Sequence, residues 1–154
     1  FFLYIFYFGM KSGVYKKIGL PFSDKSLFIS CISNLDAMIK VFSAQVDGKI
    51  IGVRLGLLYK DKIYDWYAGN LDQYKKLNVN DFLCYNVLLW GHKNGYNTFD
   101  FGGAGSPNES YGVRDHKMKF GGDLIEFGRF EHIHKPLLMK IAKFGLIVYK
   151  KMKK

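Results

Sequence analysis

The sequence predicts an α+β (mixed α/β) fold in which helices flank a central mixed sheet containing an antiparallel meander. Three observations lead to this expectation. The hydrophobic residues change from a helical to an alternating period after residue 40. The tight-turn dipeptide Asp47-Gly48 separates two of the alternating runs. An apolar helix stopped by Gly95 is followed at once by a short strand, an order that implies a parallel pair beside the antiparallel ones.

Two helical stretches are predicted at the start of the chain. Residues 1–17 and 24–33 flank the break Gly19-Leu20-Pro21, where proline stops a helix. The opening run Phe1 to Met10 is strongly apolar, but it is too short to cross a bilayer and lacks the flanks of a signal peptide. We expect a buried first helix, with a truncated membrane segment as the alternative. The length of 154 residues fits a single domain, and because the chain begins with phenylalanine we expect a fragment, or a C-terminal piece, of a longer protein.

The meander and the central helix come next. Strands are predicted at Val41 to Val46 and Ile50 to Leu58 and, after a turn at residues 60–62, at Ile63 to Ala68. Asn80 is expected to cap a helix over Asp81 to Asn94 that is apolar on most sides and therefore buried.

The rest of the chain is predicted to alternate between extended and irregular segments before a last helix. A short strand at Thr98 to Gly102 leads into a loop over residues 103–115, and a further strand is expected near Leu124 to Phe130. Pro136 opens a terminal helix. Its predicted apolar stripe consists of Leu137, Ile141, Phe144 and Val148.

Composition and charge narrow the class of protein. Of 154 residues, 49% are hydrophobic, which excludes a disordered chain. The net charge of +10 favours anionic partners such as nucleotide cofactors, nucleic acid or anionic lipid. The two cysteines, Cys31 and Cys84, form neither a disulfide framework nor a metal motif, which favours a reduced, cytoplasmic location. His132 and His134 lack an obvious third ligand, so no metal is expected.

Four short segments carry a resemblance to a known family. They are Tyr64 to Asn70, the helix exit Lys93-Asn94-Gly95-Tyr96, the strand Thr98 to Gly103, and the segment His116 to Gly122. In order and spacing they resemble the motifs of FemAB-like members of the GNAT acyltransferase superfamily, over most of residues 35–130. The resemblance implies a GNAT-like fold. Because FemAB-like proteins usually have two such domains, it also implies that residues 1–154 are the C-terminal part of a longer two-domain protein, with a missing N-terminal GNAT-like domain.

The chain also departs from the family pattern. His116 replaces a phenylalanine of the last motif, and Lys119 replaces a glycine. The segment before the central helix, residues 75–80, has no glycine, whereas coenzyme A-dependent GNAT enzymes usually carry a glycine-rich pyrophosphate loop there.

The resemblance implies an acyltransferase that moves an acetyl or aminoacyl group to an amine or hydroxyl of a cell-envelope precursor or polysaccharide. The donor would be acyl-CoA or aminoacyl-tRNA, which makes tRNA a possible partner. One alternative is a non-catalytic GNAT-like domain that binds the donor or serves as a scaffold for a partner domain. A second is a peripheral module on the inner face of an anionic membrane, since the terminal helix pairs an apolar stripe with a lysine-rich end.

Three residues are the candidate catalytic groups. Lys117 matches the lysine that the family associates with the acyl donor, and it would neutralise a donor phosphate or the developing oxyanion; the alternative is a solvated lysine. Asp100 would hold or deprotonate the acceptor, or else pin the glycine loop after it. His116 is a second candidate base. The donor-binding residues are expected at the turn before the central helix and in the glycine loop: Lys75, Lys76, Asn78, Asn80, Gly102 and Gly103.

Overall fold

The computed structural model describes residues 23–106, 109–126, 128 and 130–152. Its elements are α1 (Lys25–Asn34), β1 (Ile39–Val46), β2 (Lys49–Tyr59), β3 (Lys62–Asn70), α2 (Val79–Lys93), β4 (Thr98–Asp100), α3 (Gly112–Met118) and α4 (Pro136–Met152). Two short 3-10 helices, Asp36–Met38 and Asp72–Leu77, lie before β1 and before α2. The helix predicted over residues 1–17 lies outside the described residues.

The sheet has the predicted mixed topology. Its strands lie in the order β1-β2-β3-β4, with the first three antiparallel and β4 parallel to β3. Asp47 and Gly48 form the hairpin tip, with φ angles of 47° and 71° that suit a two-residue turn. The predicted meander, helix and parallel strand are therefore confirmed.

Among the described residues, one helix covers each face of the sheet. On the first face, Phe28 of α1 packs with Ile39, Val53 and Leu55. Asp24 caps α1, because its side chain accepts a hydrogen bond from the Ser26 backbone N–H at 2.8 Å. On the second face, α2 supplies the buried residues Val79, Leu83 and Val87. The two helices and the sheet form three layers.

The start of α2 differs from the prediction. The capping residue is Asn78, which has the left-handed φ of 49° that asparagine tolerates, and its carbonyl accepts from the Phe82 N–H at 3.0 Å. The predicted cap, Asn80, lies within the first turn. The helix is also not buried on most sides, since Phe82 and Tyr85 are 57% and 61% exposed. Counting apolar residues overstated burial because those two aromatic rings point to solvent.

The chain after β4 is where prediction and structure differ most. The described residues between 121 and 135 contain no strand, so the strand expected near Leu124 to Phe130 is wrong. Gly121, Gly122 and Gly128 have φ angles of 83°, 98° and 71°, which turn the chain away from extended geometry. The helix α3 was predicted as loop. The terminal helix α4 is confirmed, and none of the described helices is long and apolar enough to cross a membrane.

Candidate active site

A β-bulge in β3 sets which side chains meet beneath α2. Leu55 pairs with Tyr67 and Gly56 with Asp65, so Trp66 is an extra residue in the ladder. Side chains alternate between the two faces of a strand, and an extra residue reverses that alternation. Because of the bulge, Asp65 lies on the same face as Gly56 and Arg54, which is the face that α2 covers. Trp66 packs with Phe28 on the opposite face.

Arg54 and Asp65 form a buried ion pair. Arg54 Nε lies 3.3 Å from Asp65 Oδ1, and the two side chains are 6% and 10% exposed. The two atoms are close but not aligned for a hydrogen bond. Arg54 Nε and Nη1 and Asp65 Oδ1 have no hydrogen-bond partner in the part of the chain that the structure describes. Burial raises the pKa of Asp65 above its usual value, although the charges of Arg54 and Lys117 oppose the rise.

The same guanidinium fixes the amide of Asn80. Arg54 Nη2 donates to Asn80 Oδ1 at 3.3 Å, which leaves Asn80 Nδ2 directed at His116 Nε2, also at 3.3 Å. An amide nitrogen is a donor, so this contact suits a neutral imidazole that accepts at Nε2. The protonated imidazole would instead pair with Asp81 Oδ1, 3.5 Å from the same nitrogen. Asn80 thus links β2 to α3 rather than capping α2.

Lys117 crosses from α3 to the chain that leaves β4. Its Nζ donates to the carbonyl of Phe101 at 2.5 Å and to that of Gly103 at 2.8 Å. An ammonium has three donors, so one remains after these two bonds among the described residues. Burial lowers the pKa of Lys117, and the nearby Asp65 carboxylate opposes that change. Lys117 is thus half-buried and bonded to the loop, and its role in donor binding or catalysis stays a prediction.

Asp100 ends β4 and shapes the loop after it. Its Oδ1 accepts from the Gly102 N–H at 2.7 Å, and Gly102 has a φ of 69° that breaks the extended chain. A Cβ at Gly102 would lie 3.2 Å from the Tyr64 hydroxyl oxygen. The carboxylate is exposed, while Phe99 and Phe101 pack edge to face with centroids 4.7 Å apart. Asp100 does pin the glycine loop, as one of its two predicted roles required.

The parallel pair ends where these groups gather. The strands β3 and β4 are in register only from Lys62 with Thr98 to Tyr64 with Asp100. Asp65 is the next residue of β3, and Lys117 bonds to the carbonyl of Phe101, the next residue after β4. The strands therefore part beside a carboxylate and an ammonium.

A family model described as an acetyltransferase (GNAT) domain matches residues 24–118, which is more than half of the chain. The chain belongs to the GNAT acetyltransferase family. This confirms the predicted superfamily; the FemAB-like subgroup stays a prediction. No curated protein sequence matches the chain.

Solved structures share the GNAT fold of this domain. The aminoglycoside acetyltransferase meta-AAC0020 from an uncultured soil metagenomic sample, in complex with sisomicin, is 12% identical, with a TM-score of 0.55 over 82% of this chain and 84% of that chain. AAC(6')-Iy in complex with the bisubstrate analog CoA-S-monomethyl-acetylneamine is 18% identical, with a TM-score of 0.56 over 80% and 88%. The ribosomal-protein-alanine N-acetyltransferase from Brucella melitensis biovar Abortus 2308 is 8% identical, with a TM-score of 0.58 over 85% and 92%. At these identities the likeness concerns the fold alone.

Within the GNAT domain, the predicted site residues fall into two groups. The first group lies together around the end of the parallel pair, and it consists of Lys117, Asp100, His116, Asn80, Gly102 and Gly103. Lys75 and Lys76 form the second group with Asn78, and both lysines are exposed on the 3-10 helix before α2. Neither lysine has a hydrogen bond or ion pair to the first group in the described chain.

A pocket of about 190 Å³ lies next to the second group. It is formed between β1, β2 and the start of α2, with Leu77, Val79 and Phe82 among its lining residues. It does not include Lys117 or Asp65. Groups of His, Cys, Asp or Glu that could hold a metal ion are not found among the described residues.

Sequence reasoning missed Arg54, Asp65 and Asp81. Arg54 is the lone charge in the apolar run of β2, and Asp65 lies between aromatic residues in β3. A lone charge inside a buried strand indicates a partner charge, because an unpaired buried ion is very costly. That signal was present for both residues. Their pairing still depends on the bulge at Trp66, which no pattern in the sequence announces.

Proposed function

We propose that the chain is an acyltransferase that uses acyl-CoA and carries out transfer where β3 and β4 part. The observation that carries the proposal is Lys117. Its half-buried ammonium is fixed on the carbonyls of Phe101 and Gly103 and acts electrostatically on Asp65. A fixed cation beside a buried carboxylate, at the point where two parallel strands separate, supplies both the positive charge and the base that acyl transfer needs.

The proposed reaction joins an acceptor to the acyl carbon. The acceptor nitrogen or oxygen bonds to the thioester carbonyl carbon, the carbon–sulfur bond breaks, and coenzyme A leaves as the thiolate. Asp65 takes the proton of the acceptor, and its raised pKa makes it a better base than an ordinary carboxylate. The free donor of Lys117 stabilises the carbonyl oxygen as it becomes negative, an effect typically worth about 3–4 kcal/mol for one donor. His116 is the second candidate base.

The donor phosphates are proposed to lie at the turn before α2. Lys75 and Lys76 are exposed there, next to the backbone N–H groups that open the helix, and the adjacent pocket is lined mostly by apolar side chains. The absence of glycine does not remove these donors. Acyl-CoA is the preferred donor because the related GNAT structure of AAC(6')-Iy holds a CoA-containing analog. Aminoacyl-tRNA remains the donor that the FemAB-like motifs suggest.

The acceptor is proposed to be an amine or hydroxyl of a cell-envelope precursor or polysaccharide. This rests only on the FemAB-like motifs around Gly95, Asp100 and Lys117. The same motifs support a second domain of this type in a longer protein. By their names, the similar structures act on aminoglycosides and on a ribosomal-protein alanine, so both acceptor types belong in the same assay.

One observation favours a non-catalytic, donor-binding role as the second candidate. Lys117 donates two of its three hydrogen bonds to backbone carbonyls, and one carboxylate oxygen of Asp100 accepts a hydrogen bond from the Gly102 N–H. Both side chains therefore hold the loop in shape, whether or not a reaction takes place. A domain with this loop could bind a donor for a partner domain.

The test compares Lys117→Met with Lys119→Met, a matched change at an exposed lysine two residues away. Thermal unfolding with and without acetyl-CoA measures donor binding, which should add about 2.7 kcal/mol of stability at a hundred times Kd. Release of free thiol with each acceptor measures transfer. We expect Lys117→Met to lose transfer and Lys119→Met to keep it. Donor binding without transfer in the unaltered chain selects the scaffold role, and unchanged turnover in Lys117→Met refutes the assignment.

A further inference from the structure

The terminal helix α4 exposes a continuous row of large apolar side chains. The row consists of Leu137, Ile141, Phe144, Val148 and Met152, spaced by three or four residues so that its members lie on one side of the helix. Leu137, Phe144 and Met152 are 72%, 68% and 81% exposed. Exposed together, they form a surface that favours contact with another apolar phase.

The charges of this segment have one sign. From Lys135 to Lys154 the sequence contains seven lysines and no aspartate or glutamate. At 3.6 residues per turn, Lys140, Lys143 and Lys151 fall on one side of α4, together with position 150. This lysine strip lies beside the apolar row and includes one exposed apolar residue, Ile147. A cationic strip beside an apolar face is the pattern of helices that lie in the interface of a membrane.

We propose that α4 docks in the plane of an anionic lipid surface, with the apolar row in the acyl chains and the lysine strip among the headgroups. The helix has 17 residues and is therefore about 25 Å long, shorter than the hydrocarbon core of a bilayer, and its lysines oppose insertion. A symmetric pair of such helices would bring like charges together, which disfavours a second copy as the occupant. Anionic lipid satisfies both features at once, since each lysine near such a surface strengthens binding.

This inference is independent of acyl transfer, because it concerns residues outside the proposed site. The test is sedimentation of the full chain with vesicles of phosphatidylcholine alone and of phosphatidylcholine with phosphatidylglycerol. We expect binding to the second kind only, reversed by high salt. Phe144→Asp is expected to abolish binding. Lys140→Gln and Lys143→Gln should each weaken it by about fivefold.

Tyr85→Asp is the matched control, since Tyr85 is an exposed ring on a different helix, 61% exposed. It should bind vesicles as the unaltered chain does. Light scattering of each variant separates the other occupants. A dimer in solution that Phe144→Asp converts to monomer would overturn the proposal in favour of a second copy. Equal binding to both kinds of vesicle, or no loss in Phe144→Asp, would also overturn it.

Discussion

The buried ion pair of Arg54 and Asp65 is predicted to make the domain less stable than two apolar side chains in the same place would. Removing only one of the two charges should destabilise the domain further. Asp65→Asn removes the counter-ion and leaves a 6% exposed guanidinium unpaired, which should cost about 3–5 kcal/mol. For a domain of this size, each kcal/mol shifts Tm by about 2–4 °C, so the expected loss is roughly 6–20 °C. Asp81→Asn is the control, since the Asp81 side chain is 51% exposed and its contact with His116 should contribute less than about 1 kcal/mol.

Replacing both charges should reverse the effect. Burial raises the pKa of Asp65 in spite of the neighbouring Arg54, which means that desolvation outweighs the attraction. Three buried polar atoms of the pair also lack hydrogen bonds to any described residue, at a cost of about 1–3 kcal/mol each. The double change Arg54→Met with Asp65→Val is therefore expected to be neutral or to stabilise by about 1–4 kcal/mol.

The pH dependence of stability tests independently whether the buried ion pair destabilises the domain. A carboxyl whose folded pKa is raised stabilises the folded state below its unfolded pKa of 3.8, and this is lost as pH rises through the folded pKa. The advantage of the double variant over the unaltered chain should thus increase as pH rises from below 3.8 to neutral. Urea unfolding of the unaltered chain, Asp65→Asn, Asp81→Asn and the double variant across that pH range measures the free energy of unfolding of each. A double variant as unstable as Asp65→Asn would refute the reasoning.

Three other predictions concern the loop, the core and Lys117. Gly102→Ala should lower the free energy of unfolding by about 1–2 kcal/mol and remove most of the transfer activity, because φ is 69° and the Tyr64 hydroxyl would lie 3.2 Å from the new Cβ. Gly103 has open space around it, so Gly103→Ala should keep both stability and activity. Urea unfolding and thiol release measure the two effects. Phe28→Ala should lower the free energy of unfolding in urea by about 3–5 kcal/mol, since Phe28 is 1% exposed and packs in the core beneath α1 with Val53 and Leu55. The folded pKa of Lys117 is lowered, so the unaltered chain should gain stability relative to Lys117→Met as pH rises from that pKa toward 10.5; a flat difference would contradict the burial of the ammonium.

The sequence was a good guide wherever one short-range feature decides the structure. Asp47-Gly48 can form the tight turn whatever surrounds it, and Gly95, with a φ of 79°, ends α2 as expected. Tertiary contacts decided the rest. Asn80 had the right chemistry for a cap, but Asn78 adopts the left-handed conformation two residues earlier, and Asn80 bonds to Arg54 instead. A residue that suits two roles cannot be assigned from sequence alone.

The candidate site was predicted in part for the same reason. Lys117, Asp100 and His116 do come together, because α3 and the end of β4 meet at the edge of the parallel pair. The lysine was expected on a loop, however, and the buried pair beneath it was missed. Asp65 reaches that pair only through the irregular register of β3, which depends on how two strands match rather than on either strand's own pattern.

The extra residue at Trp66 makes the length of β3 as important as its composition. Removing Trp66, or adding one residue beside it, would send the carboxylate of Asp65 to the layer occupied by Phe28, where the described core residues include no cation. The tip at Gly48 has open space around it and could accept insertions freely. Among variants of this domain, changes in length should therefore accumulate at the first hairpin and be absent from the third strand.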